Sequence, residues 1–165
     1  MVLGTLMWAA AALAGEPPPI APAPNAAGVW RTQYVIPASI EAVRAALGDP
    51  IAAASLSPDI TTIAYLSREA CPTLRVETGV SLAPVAYDYR RCATASGWHE
   101  TLVSSKALSV YEVRWEFTPV AAGTQVTYDV QIETTFPVPD FLVARQMRTS
   151  ITTLLSRLYH KVTGG

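Results

Sequence analysis

Hydrophobic and polar positions change period three times along this chain, and each change predicts an element. VWRTQYVI (29–36) alternates apolar and polar residues, the mark of a strand with one dry face. Pro37-Ala38-Ser39 then leads into SIEAVRAALGDP (39–50), where Ile40, Val43 and Leu47 recur at helical spacing until Gly48-Asp49-Pro50 stops the run. IAAASLSP, directly after, predicts a second short helix. Period two then holds through ITTIAYLS (60–67), TLRVETGV (73–80), VAYDYRRC (85–92), WHETLVSS (98–105), VYEVRWEF (110–117) and TQVTYDVQIETT (124–135), joined by short turns such as 95–97 and 121–123. Successive strands with such connections predict an antiparallel meander. Beyond Phe136-Pro137-Val138-Pro139, residues 141–162 carry Val143, Met147, Ile151, Leu154, Leu155, Leu158 and Val162 at three- and four-residue steps, a long amphipathic helix with Asp140 placed to cap it.

Strand parity sets faces and registers. On 110–117 Tyr111, Val113, Trp115 and Phe117 share one face, and on 124–135 Val126, Tyr128, Val130 and Ile132 do. Pairing Phe117 with Val126 places Trp115 beside Tyr128 and Val113 beside Val130, so both apolar rows face one side. That dry face needs a cover, and the final helix offers the long apolar stripe that fits. Strand 98–105 is ambiguous: one register turns His99 and Thr101 inward, and a one-residue slip turns Trp98, Glu100 and Leu102 inward instead.

The same parity bears on the two cysteines. If 73–80 and 85–92 form a hairpin, Leu74, Val76 and Thr78 point inward with Tyr87, Tyr89 and Arg91, and Cys71 and Cys92 share the outer face. A turn centred between Ser81 and Leu82 sets them opposite one another, close enough for a disulfide.

Together these residues resemble the START-like superfamily, which includes polyketide cyclases and coenzyme Q-binding proteins. YVIPASIEAVRAALGDP, VRWEFTPVAAGTQVTYDV and FPVPDFLV carry the likeness, which spans residues 29–162. It implies an α+β helix-grip fold: a curved antiparallel sheet wrapped around a long C-terminal helix, with two short helices after the first strand. It also implies a cavity between sheet and helix for a hydrophobic small molecule such as a lipid, a quinone or a polyketide-like compound. Tyr111, Val113, Trp115, Tyr128 and Val130 would line its sheet side and Met147, Ile151 and Leu155 its helix side. His99 or Glu100, according to register, and Arg91 would supply polar contacts.

Composition narrows the readings. The chain has 165 residues, half of them hydrophobic, enough for one domain with an ordinary core. Its formal net charge is −1 and no basic run appears, which argues against nucleic acid and leaves open only a transient contact with a membrane. The uncharged start, MVLGTLMWAAAALA, ends in Ala12-Leu13-Ala14, small residues suited to a signal peptidase; residues 1–14 are expected to be a signal peptide, with export to the periplasm or exterior. Residues 15–28, with five prolines, read as a tether before a domain at 29–165. Neither HExxH, a paired CxxC, a GxSxG elbow nor a glycine-rich phosphate loop is present, so no metal or cofactor is expected, and His160 reads as a solvated imidazole near a helix end. A carrier is the leading reading. A cyclase or dehydratase using His99, Glu100 or Tyr128 as acid or base, and an envelope interaction module with a filled cavity, are the rivals.

Overall fold

The computed structural model describes residue 17 and residues 20–79 and 84–165. The expected signal peptide and the expected turn at Ser81-Leu82 lie outside the described residues.

Among the described residues eight strands form one antiparallel sheet: β1 (Ala23–Pro24), β2 (Trp30–Ile36), β3 (Ile60–Ser67), β4 (Thr73–Thr78), β5 (Val85–Ala93), β6 (Gly97–Ser105), β7 (Leu108–Val120) and β8 (Gly123–Thr134), in the order β1-β2-β8-β7-β6-β5-β4-β3. Two short helices, α1 (Ile40–Gly48) and α2 (Pro50–Ala53), and a 3-10 turn (Ala54–Leu56) follow β2, and α3 (Asp140–Thr163) ends the chain. This is the helix-grip arrangement.

Local chemistry accounts for the element ends. Ser39 Oγ accepts from Ala42 N at the start of α1, and Asp49 Oδ1 accepts from Ile51 N where Pro50 opens α2. The β7–β8 hairpin turns at Gly123, whose φ of 135° brings its α-carbon against β2; a β-carbon there would sit 2.1 Å from the Ile36 carbonyl oxygen. At α3 the expectation needs correcting. Pro139 occupies the cap position without a side-chain bond, and Asp140 is the first helical residue, where its charge still favours the helix N-terminus.

The proline-rich segment also differs from a free tether. Asn25 Oδ1 accepts from Ala27 N and Val29 N, and Gly28 adopts a φ of 77°; this tight turn folds Ala23–Pro24 back onto β2. Ile20 packs against the main core. Residues 20–28 therefore belong to the fold.

The registers follow the parity argument. Val113 pairs with Val130, Trp115 with Tyr128 and Phe117 with Val126, while Leu74 pairs with Tyr89 and Val76 with Tyr87. Two core clusters result. The larger joins β2, β7 and β8 to the helices through Trp30, Trp115, Phe117, Ile151, Leu155 and Leu158; the smaller gathers Leu74, Val76, Tyr87, Tyr89 and Leu108. Cys71 and Cys92 are joined by a disulfide, with their α-carbons 4.5 Å apart.

Candidate functional site

Between the two core clusters the sheet and α3 do not meet, and the gap is a cavity of about 500 Å³. Its floor is the concave face of the sheet: Tyr87, Tyr89 and Arg91 from β5, Glu100 from β6, Tyr111, Val113 and Trp115 from β7, and Tyr128, Val130 and Ile132 from β8. Val143, Met147, Ile151 and Leu154 of α3 form its roof, and Leu47, Pro50 and Ala53 close one end. The solvent-exposed lining residues, Phe136 and Asp140 among them, cluster on the connection from β8 to α3, which places the opening there.

The register of β6 decides which polar groups enter. Trp98 pairs with Trp115, Glu100 with Val113 and Arg91 with Glu100, so Glu100 faces in and His99 faces out. On the outer face His99 Nε2 lies 3.0 Å from Glu112 Oε1, which also accepts from Arg114. The Arg114 bond, with His99 adding to it, holds Glu112 below the usual carboxylate range. His99 is thus a surface residue and not a wall of the cavity. Leu155 needs a second correction, since it is fully buried in the solid core beyond the cavity's end.

One of three clustered tyrosines holds the buried carboxylate. Tyr111 Oη donates to Glu100 Oε2 at 2.8 Å, and its ring centre lies 4.7 Å from that of Tyr87 and 5.5 Å from that of Tyr89. Arg91 Nε approaches Glu100 Oε1 to 3.5 Å, Arg91 Nη2 donates to the Leu47 carbonyl at 2.7 Å, and the guanidinium lies over the Trp98 ring. Burial pushes the Glu100 carboxyl above the usual range, against the opposing pull of Arg91 and the Tyr111 bond. Burial likewise raises Tyr89, Tyr111 and Tyr128, with the negative charge of Glu100 adding to each, so all three stay protonated.

A second polar group sits between roof and floor. Asp59, at the start of β3, accepts from Gln146 Nε2 at 3.0 Å and from Ser150 Oγ, both on α3. Asp59, Gln146 and Ser150 all line the cavity, and none stood out in the sequence, because nothing local marks a loop aspartate as facing a distant helix. Among the described residues no group of three or more His, Cys, Asp and Glu side chains gathers as metal ligands.

A sheet gripping one helix around a largely apolar chamber defines a fold that encloses hydrophobic small molecules. The chain belongs to the polyketide cyclase / dehydrase and lipid transport family, whose pattern it matches over residues 29–163. Solved structures share the fold. A START superfamily protein from Mycobacterium smegmatis superposes with a TM-score of 0.71 at 18% identity, covering 82% of this chain and 97% of that one. The Zhui aromatase/cyclase from Streptomyces sp. R1128 gives 0.66 at 16% identity, over 81% and 92% of the two chains. A STAR-related lipid transfer protein from Xanthomonas axonopodis gives 0.63 at 15%, over 87% and 98%. Among curated proteins no sequence matches.

Proposed function

We propose that this protein is an exported carrier that encloses one hydrophobic small molecule between sheet and α3. The observation that carries the reading is the chamber itself: about 500 Å³ of space, within the range of small-molecule pockets, walled mainly by aromatic and branched side chains. The family's two themes, polyketide chemistry and lipid transport, both concern hydrophobic ligands, which supports this reading. Phe141, 70% exposed beside the opening, would serve a transient membrane contact during loading.

Export rests on the first fourteen residues. The exported protein is expected to begin at Gly15, and its intact mass checks this; a mature chain retaining Met1 in the cell envelope counts against it.

Carriage is tested by filling the chamber. Val113 is buried at the centre of the floor, between Glu100 on β6 and Val130 on β8. Val113→Trp should weaken binding of a hydrophobic, environment-sensitive dye by at least about tenfold while thermal unfolding stays cooperative, with overpacking itself costing about 1–3 kcal/mol. Wild-type protein that binds no such dye would sink the carrier reading in favour of an interaction module.

One observation favours a second reading, a cyclase or dehydratase: Glu100, with its raised affinity for a proton, stands bonded to Tyr111 inside the chamber. Loss of turnover on a polyketide-like substrate, with binding retained, in Glu100→Gln would decide for it.

A further inference from the structure

The charges that face the chamber are unbalanced. Among the described lining residues, Asp59, Glu100, Glu133 and Asp140 are acidic and Arg91 is basic. Glu133, which accepts from the neutral Gln131 Nε2 at 3.0 Å, and Asp140 are exposed at the mouth, so the interior sets the carboxylates of Asp59 and Glu100 against one guanidinium. That guanidinium holds the Leu47 carbonyl through Nη2, lies over Trp98, and turns its one unbonded buried donor, Nε, toward Glu100 at 3.5 Å, so an incoming anion meets Glu100 beside it. Among the described residues Asp59 accepts only from the neutral donors Gln146 and Ser150, which leave its charge in place.

Glu100 is also short of partners. Two carboxylate oxygens offer about four acceptor sites. Among the described residues only the Tyr111 hydroxyl donates to Glu100, and the approach of Arg91 Nε at 3.5 Å is an ion pair without hydrogen-bond geometry. The residue is 8% exposed and lines the cavity. A buried acceptor left this open gains from any further donor and, in the ionised form that Arg91 and the Tyr111 bond favour, loses from any neighbouring anion, because the surroundings screen charge poorly. Tyr89 and Tyr128 bring their hydroxyl-bearing rings to the same floor, so a bound polar head would find both donors and acceptors there.

We infer that the chamber selects amphiphiles whose polar end donates hydrogen bonds and carries no negative charge, a hydroxyl or an amine rather than a carboxylate or phosphate, and that Glu100 enforces the choice. The inference rests on the carrier reading and specifies its ligand. Fatty acids and phospholipids are thereby disfavoured as cargo, although the chamber is apolar enough for their chains.

The test keeps the apolar body constant and changes the head. Decanol, decylamine and decanoate compete at neutral pH for the full-length protein against Nile red, a neutral dye. Decanol and decylamine should displace the dye at concentrations at least roughly tenfold lower than decanoate, since each like-charge contact in a poorly screened site works against the anion. Comparison of the first two separates a hydroxyl-selective from an amine-selective site. Glu100→Gln should shrink the gap between decanol and decanoate to within about threefold, each titration being read against that variant's own dye affinity. Asp59→Asn should shrink it by less, and provides the second reading should Glu100→Gln fail to fold. Decanoate competing as well as decanol in the wild type would overturn the inference while leaving the carrier reading intact, and so would a gap that survives Glu100→Gln. A wild-type protein that does not bind Nile red would sink both.

Discussion

Leu155→Asp is expected to unfold the domain. Leu155 is fully buried near the middle of α3, packed in the larger core cluster, and it does not line the cavity. A carboxylate at that position would have neither water nor a cation, and it would replace the contacts of a close-packed leucine. Truncation to Ala alone costs about 2–5 kcal/mol at such sites, and the unpaired charge adds to that, against a total stability of about 5–15 kcal/mol for a domain of this kind. Thr152→Asp, three residues earlier on the exposed face, should cost less than about 1 kcal/mol. Urea denaturation followed by circular dichroism compares the two. Equal effects would mean that the face of α3 assigned to the sheet is wrong. The position matters for function as well: the half of α3 around Leu155 and Leu158 is anchored in solid core, whereas Val143 and Met147, nearer the N-terminus, roof the chamber.

The fold was legible because the strands repeat one signal. On β7 and β8 every second residue is large and apolar over a full hairpin, so parity and register could be read together, and the pairs Val113–Val130, Trp115–Tyr128 and Phe117–Val126 stand as the alternation implies. The segment before β2 misled for the opposite reason. Proline and alanine give no periodicity, and the contacts that hold it, an asparagine turn and the burial of Ile20 against the main core, are single events that no repeating pattern announces.

Much of the site was less legible. WHETLVSS has a mixed character on both faces, Trp98, Glu100 and Leu102 against His99, Thr101 and Val103, so alternation alone does not choose between them. What decides is a pairing across strands. Once Arg91 points inward on β5, a carboxylate opposite it is needed to avoid an uncompensated buried charge, and Glu100 is the residue on β6 that pairs with it. The alternation of 85–92 already turns Arg91 inward, and its need for a buried partner is the signal that favours Glu100 over His99. Asp59, Gln146 and Ser150 carried no comparable signal, because their meeting depends on the curvature of the sheet and the placement of α3, which are properties of the assembled fold.

Removing the disulfide is expected to produce the other large effect. Cys71 and Cys92 are 21 residues apart in sequence, and their link closes the β4–β5 hairpin at its open end, next to the bond from Arg91 N to the Pro72 carbonyl. For a loop of that length the chain-entropy model gives about 3 kcal/mol of stabilisation, through the freedom the bridge denies to the unfolded chain. The double variant Cys71→Ser, Cys92→Ser should therefore lower the urea midpoint by an amount worth about 3 kcal/mol, a large share of a domain's stability. Reduction of the wild-type protein should move its midpoint toward that of the variant. The effect should reach the site, because the hairpin carries Tyr87, Tyr89 and Arg91 on its inner face directly across from the outward-facing bridge. Loosening the open end frees Arg91 from its place beside Glu100, and the dye that fills the chamber should then bind more weakly under conditions where circular dichroism still reports a folded sheet. A midpoint that is the same with and without reductant, in protein shown by mass to carry the bridge, would mean that the hairpin is held by its strand pairing and aromatic packing alone.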